Sequence, residues 1–89
     1  MAYFSFTEKG WEHYIYWQTQ DPKTLKKINK HISDIKRNGA LQGIGKPELL
    51  KHNKSGLYSR RIDEANRLVY GIDQSQNIRI ISCKGHYED

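Results

Sequence analysis

The chain has 89 residues, a length typical of one domain, and we assign residues 1–89 to a single unit. Its 15 basic and 10 acidic residues give a net charge of +5, which favours nucleic acid, an acidic protein partner, or simply a solvated basic surface. The single cysteine, Cys83, excludes an intrachain disulfide, and no apolar run approaches the roughly 18 residues of a membrane span. Because the N-terminus lacks a basic segment followed by an apolar core, we expect no signal peptide and a cytoplasmic protein.

The first quarter of the chain predicts a strand and then a helix. Aromatic residues make residues 2–6 prone to form a strand. Thr7 is suited to cap a helix that runs to about Thr19, and Glu8 lies in the first turn, where the helix dipole favours an acid. The helix carries a predicted stripe of core-facing positions at Trp11, Tyr14, Ile15 and Gln18. We expect core packing rather than base stacking from its large aromatic residues, Trp11, Tyr14 and Trp17.

A second helix is predicted over residues 22–38. Asp21 and Pro22 form a start signal, with Asp at the N-cap and Pro at the first helical position, and Gly39 supplies the stop. Its apolar positions recur as one stripe: Leu25, Ile28, Ile32 and Ile35. The basic residues around this stripe have two interpretations, phosphate contact or a solvated face, and the solvated face is the simpler one.

The second half of the chain predicts a loop and three strands. Residues 40–55 contain three glycine or proline breaks and should form a loop, and strands are expected at 57–62, 67–72 and 77–83. The intervening turns are short and polar, so the three strands should form an antiparallel meander. If Arg61 and Arg67 pair across the first turn, alternation puts both on one face of the sheet. The opposite face, against the helices, should then carry Ile62, Leu68, Tyr70 and Ile72.

Residues 45–70 and the C-terminal tail together contain the groups needed to cleave RNA through its own ribose. In that reaction a base removes the 2′-hydroxyl proton, the oxygen attacks the phosphate, and an acid protonates the leaving 5′-oxygen. Glu48 is a candidate base, and His86 is a candidate acid because imidazole titrates near neutrality. Arg61 and Arg67 are candidate stabilisers of the developing charge, since guanidinium meets phosphate oxygens in a forked geometry. Each of the four residues has a simpler interpretation as an ordinary surface side chain.

Other chemistries find little support in the sequence. Cys83, His52 and His86 do not have the spacing of zinc ligands. No Ser-His-Asp elbow, phosphate-binding P-loop or Gly-rich dinucleotide turn is present.

Several segments together resemble one known family. WEHYIYWQTQD, KKIN, GKPELLKHNKSGLYSRRIDEANRLVY and CKGHY, in this order over nearly the whole chain, resemble the YoeB/Txe toxins of bacterial type II toxin–antitoxin systems, within the RelE superfamily. The resemblance implies an α+β fold of the microbial RNase or RelE-like type, an antiparallel sheet with two N-terminal helices on one face, in the order β-α-α-β-β-β. It also implies a metal-independent endoribonuclease that works without a cofactor, cleaves mRNA in the ribosomal A site and so inhibits translation.

The resemblance also assigns roles to individual residues. By position, Glu48 of GKPE is the general base, His86 of the terminal His-Tyr is the general acid, and Tyr87 positions the substrate. Arg61 of SRRI and Arg67 of RLVY stabilise the transition-state phosphate. The basic residues expected to bind RNA are Lys46, Lys51, Arg60 and Lys84. Gly85 stands where a bulkier residue is usual, which predicts a more mobile catalytic tail, and Glu88 and Asp89 follow the His-Tyr pair.

The implied partners are a YefM-type antitoxin that covers or distorts the site, the ribosome with its mRNA, and operator DNA reached only through the antitoxin. A homodimer is common in the family, and no membrane contact is expected. Two other functions stay open at this point. A catalytically weak member of the fold would act by binding the ribosome or the antitoxin, or as a corepressor with the antitoxin on DNA. A generic basic module would bind RNA in a salt-dependent way without the ribosome.

Overall fold

The computed structural model describes residues 3–50 and 56–86, which form two helices and five strands. The predicted α+β class, both predicted helices and all four predicted strands are confirmed, with bounds that differ by no more than two residues. A fifth, two-residue strand lies inside the segment that was predicted to be a loop. In chain order the elements are β1 (Phe4–Phe6), α1 (Glu8–Gln20), α2 (Pro22–Asn38), β2 (Glu48–Leu49), β3 (Leu57–Arg61), β4 (Arg67–Ile72) and β5 (Ile78–Ser82).

The five strands form one mixed sheet in the order β1-β5-β4-β3-β2. Strands β3, β4 and β5 form the predicted antiparallel meander, and β2 adds to it antiparallel to β3. β1, however, pairs in parallel with β5, so the expected all-antiparallel sheet is corrected at this edge. Parallel neighbours need a long connection, and here both helices and the other three strands lie between the two in the chain.

Helix α1 begins at the predicted Thr7 cap and lies very close to β5. The Thr7 hydroxyl oxygen accepts a hydrogen bond from the Gly10 N–H at 2.9 Å, and the hydroxyl donates to the Ile81 carbonyl at 2.8 Å. A Cβ atom at Gly10 would lie 2.5 Å from the Ile80 carbonyl oxygen, so this approach of helix to strand requires glycine. The glycine that weakens the helix by propensity therefore permits its packing.

The buried face of α1 differs from the predicted stripe. Trp17 is buried as expected, and its indole N–H donates to the Cys83 carbonyl at 2.8 Å. Trp11 and Ile15, in contrast, are 50% and 38% exposed. Gly10 and Trp17 are seven residues apart and share a face, so the close approach at Gly10 decides which side of the helix is buried. The core packing predicted for Trp11 is therefore wrong, because its ring stacks on Tyr14 near the surface.

Helix α2 follows its prediction closely. The Asp21 carboxylate accepts hydrogen bonds from the N–H groups of the first turn, and Gly39 closes the helix by donating to the Ile35 carbonyl. The predicted apolar stripe faces the sheet, with three buried isoleucines and a half-buried Leu25. Two buried residues of the helix, Thr24 and His31, were not predicted. The two ring nitrogens of His31 lie 2.7 Å from the carbonyl oxygens of Lys27 and Arg61, and so tie α2 to the end of β3.

The core lies between the helices and one face of the sheet. Arg61 pairs with Arg67 as predicted, and the residues predicted to face the helices do so: Ile62, Leu68 and Tyr70 are buried, and Ile72 is half-buried against the core. Cys83 is also fully buried there, and burial raises the pKa of its thiol to about 12. In the ranges that the structure describes, neither helix is both long enough and apolar enough to cross a membrane.

Candidate active site

A pocket of about 290 Å³ opens on the face of the sheet that does not meet the helices. It brings together four of the five predicted catalytic residues, Glu48, Arg61, Arg67 and His86, with the predicted RNA-binding residue Lys46. Leu50 and Ser59 complete the lining within the described residues. The fifth predicted catalytic residue, Tyr87, and the predicted RNA-binding residue Lys51 lie outside the described residues.

Strand register explains why these side chains meet. Glu48 on β2 pairs with Ser59 on β3, and Arg61 on β3 pairs with Arg67 on β4. Direct partners share a face of the sheet, and so do residues two apart on one strand. Sequence reasoning missed Ser59, although alternation from Arg61 identifies it. It also missed Leu50, because the sequence predicts a loop at β2 and a loop has no side-chain alternation.

Arg67 is oriented by the turn between β3 and β4. Its Nη1 atom donates to the carbonyl oxygens of Asp63, Glu64 and Asn66, at 2.6, 3.3 and 3.1 Å. The guanidinium is half-buried, so both the turn and the strand restrict its direction. A cation held in this way loses little conformational freedom when it binds an anion.

Arg61 is anchored through its backbone, while its side chain is exposed to the pocket. Its N–H donates to the Gly45 carbonyl at 2.7 Å, and its own carbonyl lies 2.7 Å from the Nε2 atom of His31. Both the loop after α2 and α2 itself therefore fix the strand end from which Arg61 projects.

His86 reaches the pocket because the C-terminal tail docks on the same turn. The Gly85 N–H donates to the Asn66 side-chain oxygen at 2.8 Å, and the Gly85 carbonyl accepts from the Arg67 N–H at 3.0 Å. The His86 Nε2 atom lies 2.9 Å from the Glu64 carbonyl oxygen. The sequence predicts a looser tail because of Gly85. In the structure, however, both backbone polar groups of Gly85 are hydrogen-bonded.

The pocket is electropositive. Among the described lining residues, three side chains, those of Lys46, Arg61 and Arg67, are cationic, and one, that of Glu48, is anionic. Within residues 3–50 and 56–86 the one ion pair joins Arg60 to Asp34, so the pocket cations do not neutralise Glu48 by direct pairing. Such a pocket attracts a phosphate and still offers a carboxylate as proton acceptor. Across the part of the chain that the structure describes, no group of three or more His, Cys, Asp or Glu is placed to bind a metal ion.

Arg60 does not lie in this pocket, and its predicted role in RNA binding is wrong. Its side chain has no exposed surface and lies on the core face, where alternation from Arg61 would place it. The guanidinium forms the ion pair with Asp34, and it donates five hydrogen bonds in all, to Asp34, Tyr70, Gly39, Gln42 and Ile44. Arg60 therefore holds the loop that leads from α2 to Glu48.

Lys84 is exposed but also lies away from the pocket. Its Nζ atom lies 4.7 Å from the centroid of the Tyr16 ring on α1, a cation–π contact, and it does not line the pocket. Among the basic residues proposed for RNA in the described ranges, Lys46 is thus the one that joins the catalytic candidates.

The fold and the pocket define a class of protein: a small basic α+β domain with a site suited to a phosphodiester. A family model described as the YoeB-like toxin of bacterial type II toxin–antitoxin systems matches residues 6–87. The Toxin YoeB of Escherichia coli K12 is 46% identical over 82 residues, which cover 92% of this chain and 95% of that protein. A Toxin YoeB of Synechocystis is 49% identical over 84 residues, covering 94% and 95%. The chain therefore belongs to the family of YoeB-like toxins.

Solved structures agree with this assignment. A Staphylococcus aureus YoeB, crystallised as a heterotetrameric YoeB–YefM complex, superposes with a TM-score of 0.89 at 50% identity, covering 98% of this chain and 99% of the other. A Staphylococcus aureus YoeB dimer superposes with a TM-score of 0.90 at 51% identity, covering 97% and 98%. A mutant of Escherichia coli YafQ has a TM-score of 0.78 at 13% identity over 97% and 94% of the chains, a likeness of fold alone.

Proposed function

We propose that this toxin is a metal-independent endoribonuclease that cleaves mRNA in the ribosomal A site and thereby inhibits translation. The observation that supports this most is the pocket of about 290 Å³, whose described lining includes a carboxylate, two arginines and an imidazole. These are the base, the charge stabilisers and the acid that cleavage through the 2′-hydroxyl needs. The site requires no further reactant, because the nucleophile belongs to the RNA.

In the proposed reaction Glu48 accepts the proton of the 2′-hydroxyl as the oxygen attacks the adjacent phosphorus. Arg61 and Arg67 hold the phosphate oxygens while negative charge develops on them. His86 gives a proton to the 5′-oxygen as its bond to phosphorus breaks. The upstream fragment then ends in a 2′,3′-cyclic phosphate and the downstream fragment in a 5′-hydroxyl.

The other basic residues and Tyr87 have supporting roles in the proposal. Lys46 adds positive charge to the pocket, which it lines together with Glu48. Lys51 and Tyr87, which belong to the LKHN and His-Tyr motifs, are proposed to stabilise charge and to position the substrate.

We further propose a YefM-type antitoxin as the protein partner, which would act by covering this pocket, and operator DNA as a ligand reached only through that antitoxin. The similarity to the YoeB chains of two Staphylococcus aureus YoeB–YefM complexes supports the first part. The similarity to a YoeB dimer supports a homodimer. The site of action would be the cytoplasm, where the ribosomes are.

The function can be tested by inducing the protein in bacteria that lack an antitoxin and mapping mRNA ends by primer extension. We expect growth arrest and cuts at A-site codons. Glu48→Gln and His86→Gln should each reduce the cutting rate by about 10²–10⁴-fold, the usual contribution of a general base or acid. Glu12→Gln removes an exposed carboxylate of α1 outside the pocket and should leave the cuts unchanged.

Undiminished cutting by a folded Glu48→Gln, His86→Gln double variant would refute the proposed chemistry. Growth arrest without any A-site cuts would instead indicate a protein that acts by binding the ribosome.

A further inference from the structure

The two polar turns of the meander use the same arrangement of side chains. In the β3–β4 turn the Asp63 carboxylate accepts hydrogen bonds from the backbone and the side-chain amide of Asn66. In the β4–β5 turn the Asp73 carboxylate accepts the same bonds from Asn77. Because a carboxylate only accepts, the amide nitrogen of each asparagine faces its aspartate, and the amide oxygen points away from the turn.

Each of these amide oxygens binds a distant backbone N–H. Asn77 accepts from Tyr3, just before β1, at 3.0 Å, and Asn66 accepts from Gly85 at 2.8 Å. The first contact joins the N-terminal strand to the sheet. The second joins the turn to the residue that precedes His86.

The charge of Asp63 supports this orientation of Asn66. Partial burial raises the pKa of Asp63, but the hydrogen bonds from Asn66 and Ala65 outweigh burial, and the pKa is lowered below its ordinary value. Asp63 is therefore an anion at neutral pH, and it holds the Asn66 amide with its oxygen towards Gly85.

The same turn also selects which nitrogen of His86 can deliver a proton. The Glu64 carbonyl oxygen, 2.9 Å from Nε2, can only accept, so Nε2 carries a hydrogen and donates it. The proton that leaves the imidazolium must then come from Nδ1, and the ring returns to its neutral form with the Nε2–H bond to Glu64 intact.

We propose that Asn66 is a positioning residue for the general acid: by holding Gly85 it keeps Nε2–H of His86 on the Glu64 carbonyl and presents Nδ1 to the 5′-oxygen. This inference rests on the proposed function. In the step concerned, the bond from the 2′-oxygen to phosphorus forms, the bond from phosphorus to the 5′-oxygen breaks, and the Nδ1 proton goes to that oxygen.

The chain offers its own matched control for this proposal. Asn66→Ala and Asn77→Ala each remove an amide that bridges a turn aspartate and a distant backbone N–H, but only Asn66 holds the tail with His86. We therefore expect Asn66→Ala to lower kcat on ribosome-bound mRNA by about 10–100-fold, part of the range for general acid catalysis. KM should change little, and Asn77→Ala should retain kcat.

A modified substrate separates proton donation from general damage to the site. In mRNA with sulfur in place of the scissile 5′-oxygen, the leaving thiolate needs no proton. Asn66→Ala should cleave this substrate at nearly the wild-type rate. An equal loss on both substrates, or no loss on the oxygen substrate, would overturn the role of Asn66. Asn66→Ser, which keeps a donor for Asp63 but is too short to reach Gly85, replaces Asn66→Ala if that variant does not fold.

A measurement without RNA distinguishes failure of this inference from failure of the proposed function. Nitrogen NMR of the His86 ring at a pH where it is neutral should show the Nε2–H form in the wild type and in Asn77→Ala, and a mixture of forms in Asn66→Ala. An unchanged ring in Asn66→Ala would overturn the inference even if the wild type cleaves mRNA. If the wild type does not cleave mRNA, the proposed function fails, and the ring spectrum alone then decides whether Asn66 holds the tail.

Discussion

Replacement of Arg60 separates a structural arginine from an RNA-binding one. The side chain is fully buried and its five hydrogen bonds use all three guanidinium nitrogens. Three of these bonds go to backbone carbonyls of the loop after α2, at Gly39, Gln42 and Ile44. Arg60→Ala therefore removes the ion pair with Asp34 and the donors that hold this loop on the sheet.

The expected cost is large for a domain of this size. A hydrogen bond to a charged group contributes about 1.5–3 kcal/mol, and small domains have about 5–15 kcal/mol of stability in total, so we expect loss of this buried guanidinium to cost about 2–5 kcal/mol. The three loop carbonyls that lose their donor add less than the full penalty of burying an unpaired carbonyl. Without Arg60 the loop is free to move, and the carbonyls can then hydrogen-bond to water. Arg60→Lys keeps the charge but not the forked geometry, so we expect it to lose about 1–3 kcal/mol.

The assay is urea unfolding followed by tryptophan fluorescence, because Trp17 is buried. Arg37→Ala is the matched control: it removes an exposed arginine from the last turn of α2 and should change the free energy of unfolding by about 0.5 kcal/mol or less. A loss below about 1 kcal/mol for Arg60→Ala would refute the structural role, given the usual contribution of hydrogen bonds from a charged donor. An RNA-binding arginine would instead leave stability intact and weaken salt-dependent RNA binding.

Gly45→Ala should destabilise the protein by about 1–3 kcal/mol, the cost of a strained backbone, because φ is +81° and the new Cβ would lie 2.6 Å from the Nε2 atom of His31. Gly56→Ala, with φ of +87° and no atom of the described residues within 4 Å of the new Cβ, should cost less, and equal melting temperatures would contradict the clash. Asn77, through its N–H and then its side-chain amide, lowers the pKa of Asp73. The Asp73 carboxylate therefore contributes stability above the ordinary carboxyl pKa of about 3.9. This contribution is lost as the pH falls through the lower pKa that Asp73 has in the folded protein. Asp73→Asn should flatten the fall in melting temperature at acid pH, and parallel profiles would argue against this. Burial raises the pKa of Cys83 to about 12, so a thiol reagent at neutral pH should label only unfolded protein, and rapid labelling of the native protein would disprove that burial.

Local signals account for the parts of the fold that could be predicted. The caps at Thr7 and Asp21 act within one helical turn, and the apolar spacing of α2 reports its own buried face, so both helices were identified with close bounds. Side-chain alternation needs only the register of one hairpin, and it correctly put Arg61 and Arg67 on the face opposite Leu68 and Tyr70.

Contacts between distant residues account for the parts that could not be predicted. The exposure of Trp11 follows from the approach of Gly10 to Ile80, 70 residues later, which no pattern within α1 encodes. β2 is two residues long and has no periodicity to detect. The position of Arg60, in contrast, follows from local pattern, since alternation from Arg61 places it on the core face although arginine is usually exposed.

The site shows the same division. Residue type and resemblance predict a site with Glu48, Arg61, Arg67 and His86, and these four side chains do line one pocket. The docking of the tail could not be predicted, because its hydrogen bonds join Gly85 to Asn66, an ordinary turn residue in the sequence, and to the backbone of Arg67. Ser59 was available from alternation and was overlooked because a serine beside two arginines is not distinctive.

The nature of the cleaved ends tests the central claim most directly. Purified protein is incubated with ribosomes carrying a defined mRNA, with or without a 2′-deoxy sugar on the 5′ side of the scissile phosphate in the A site. We predict cleavage of the all-ribose mRNA to a 2′,3′-cyclic phosphate and a 5′-hydroxyl, and no cleavage at the 2′-deoxy position. Cleavage of the 2′-deoxy mRNA at the full rate, or an upstream fragment ending in a 3′-hydroxyl, would contradict catalysis by Glu48 and His86 through the ribose.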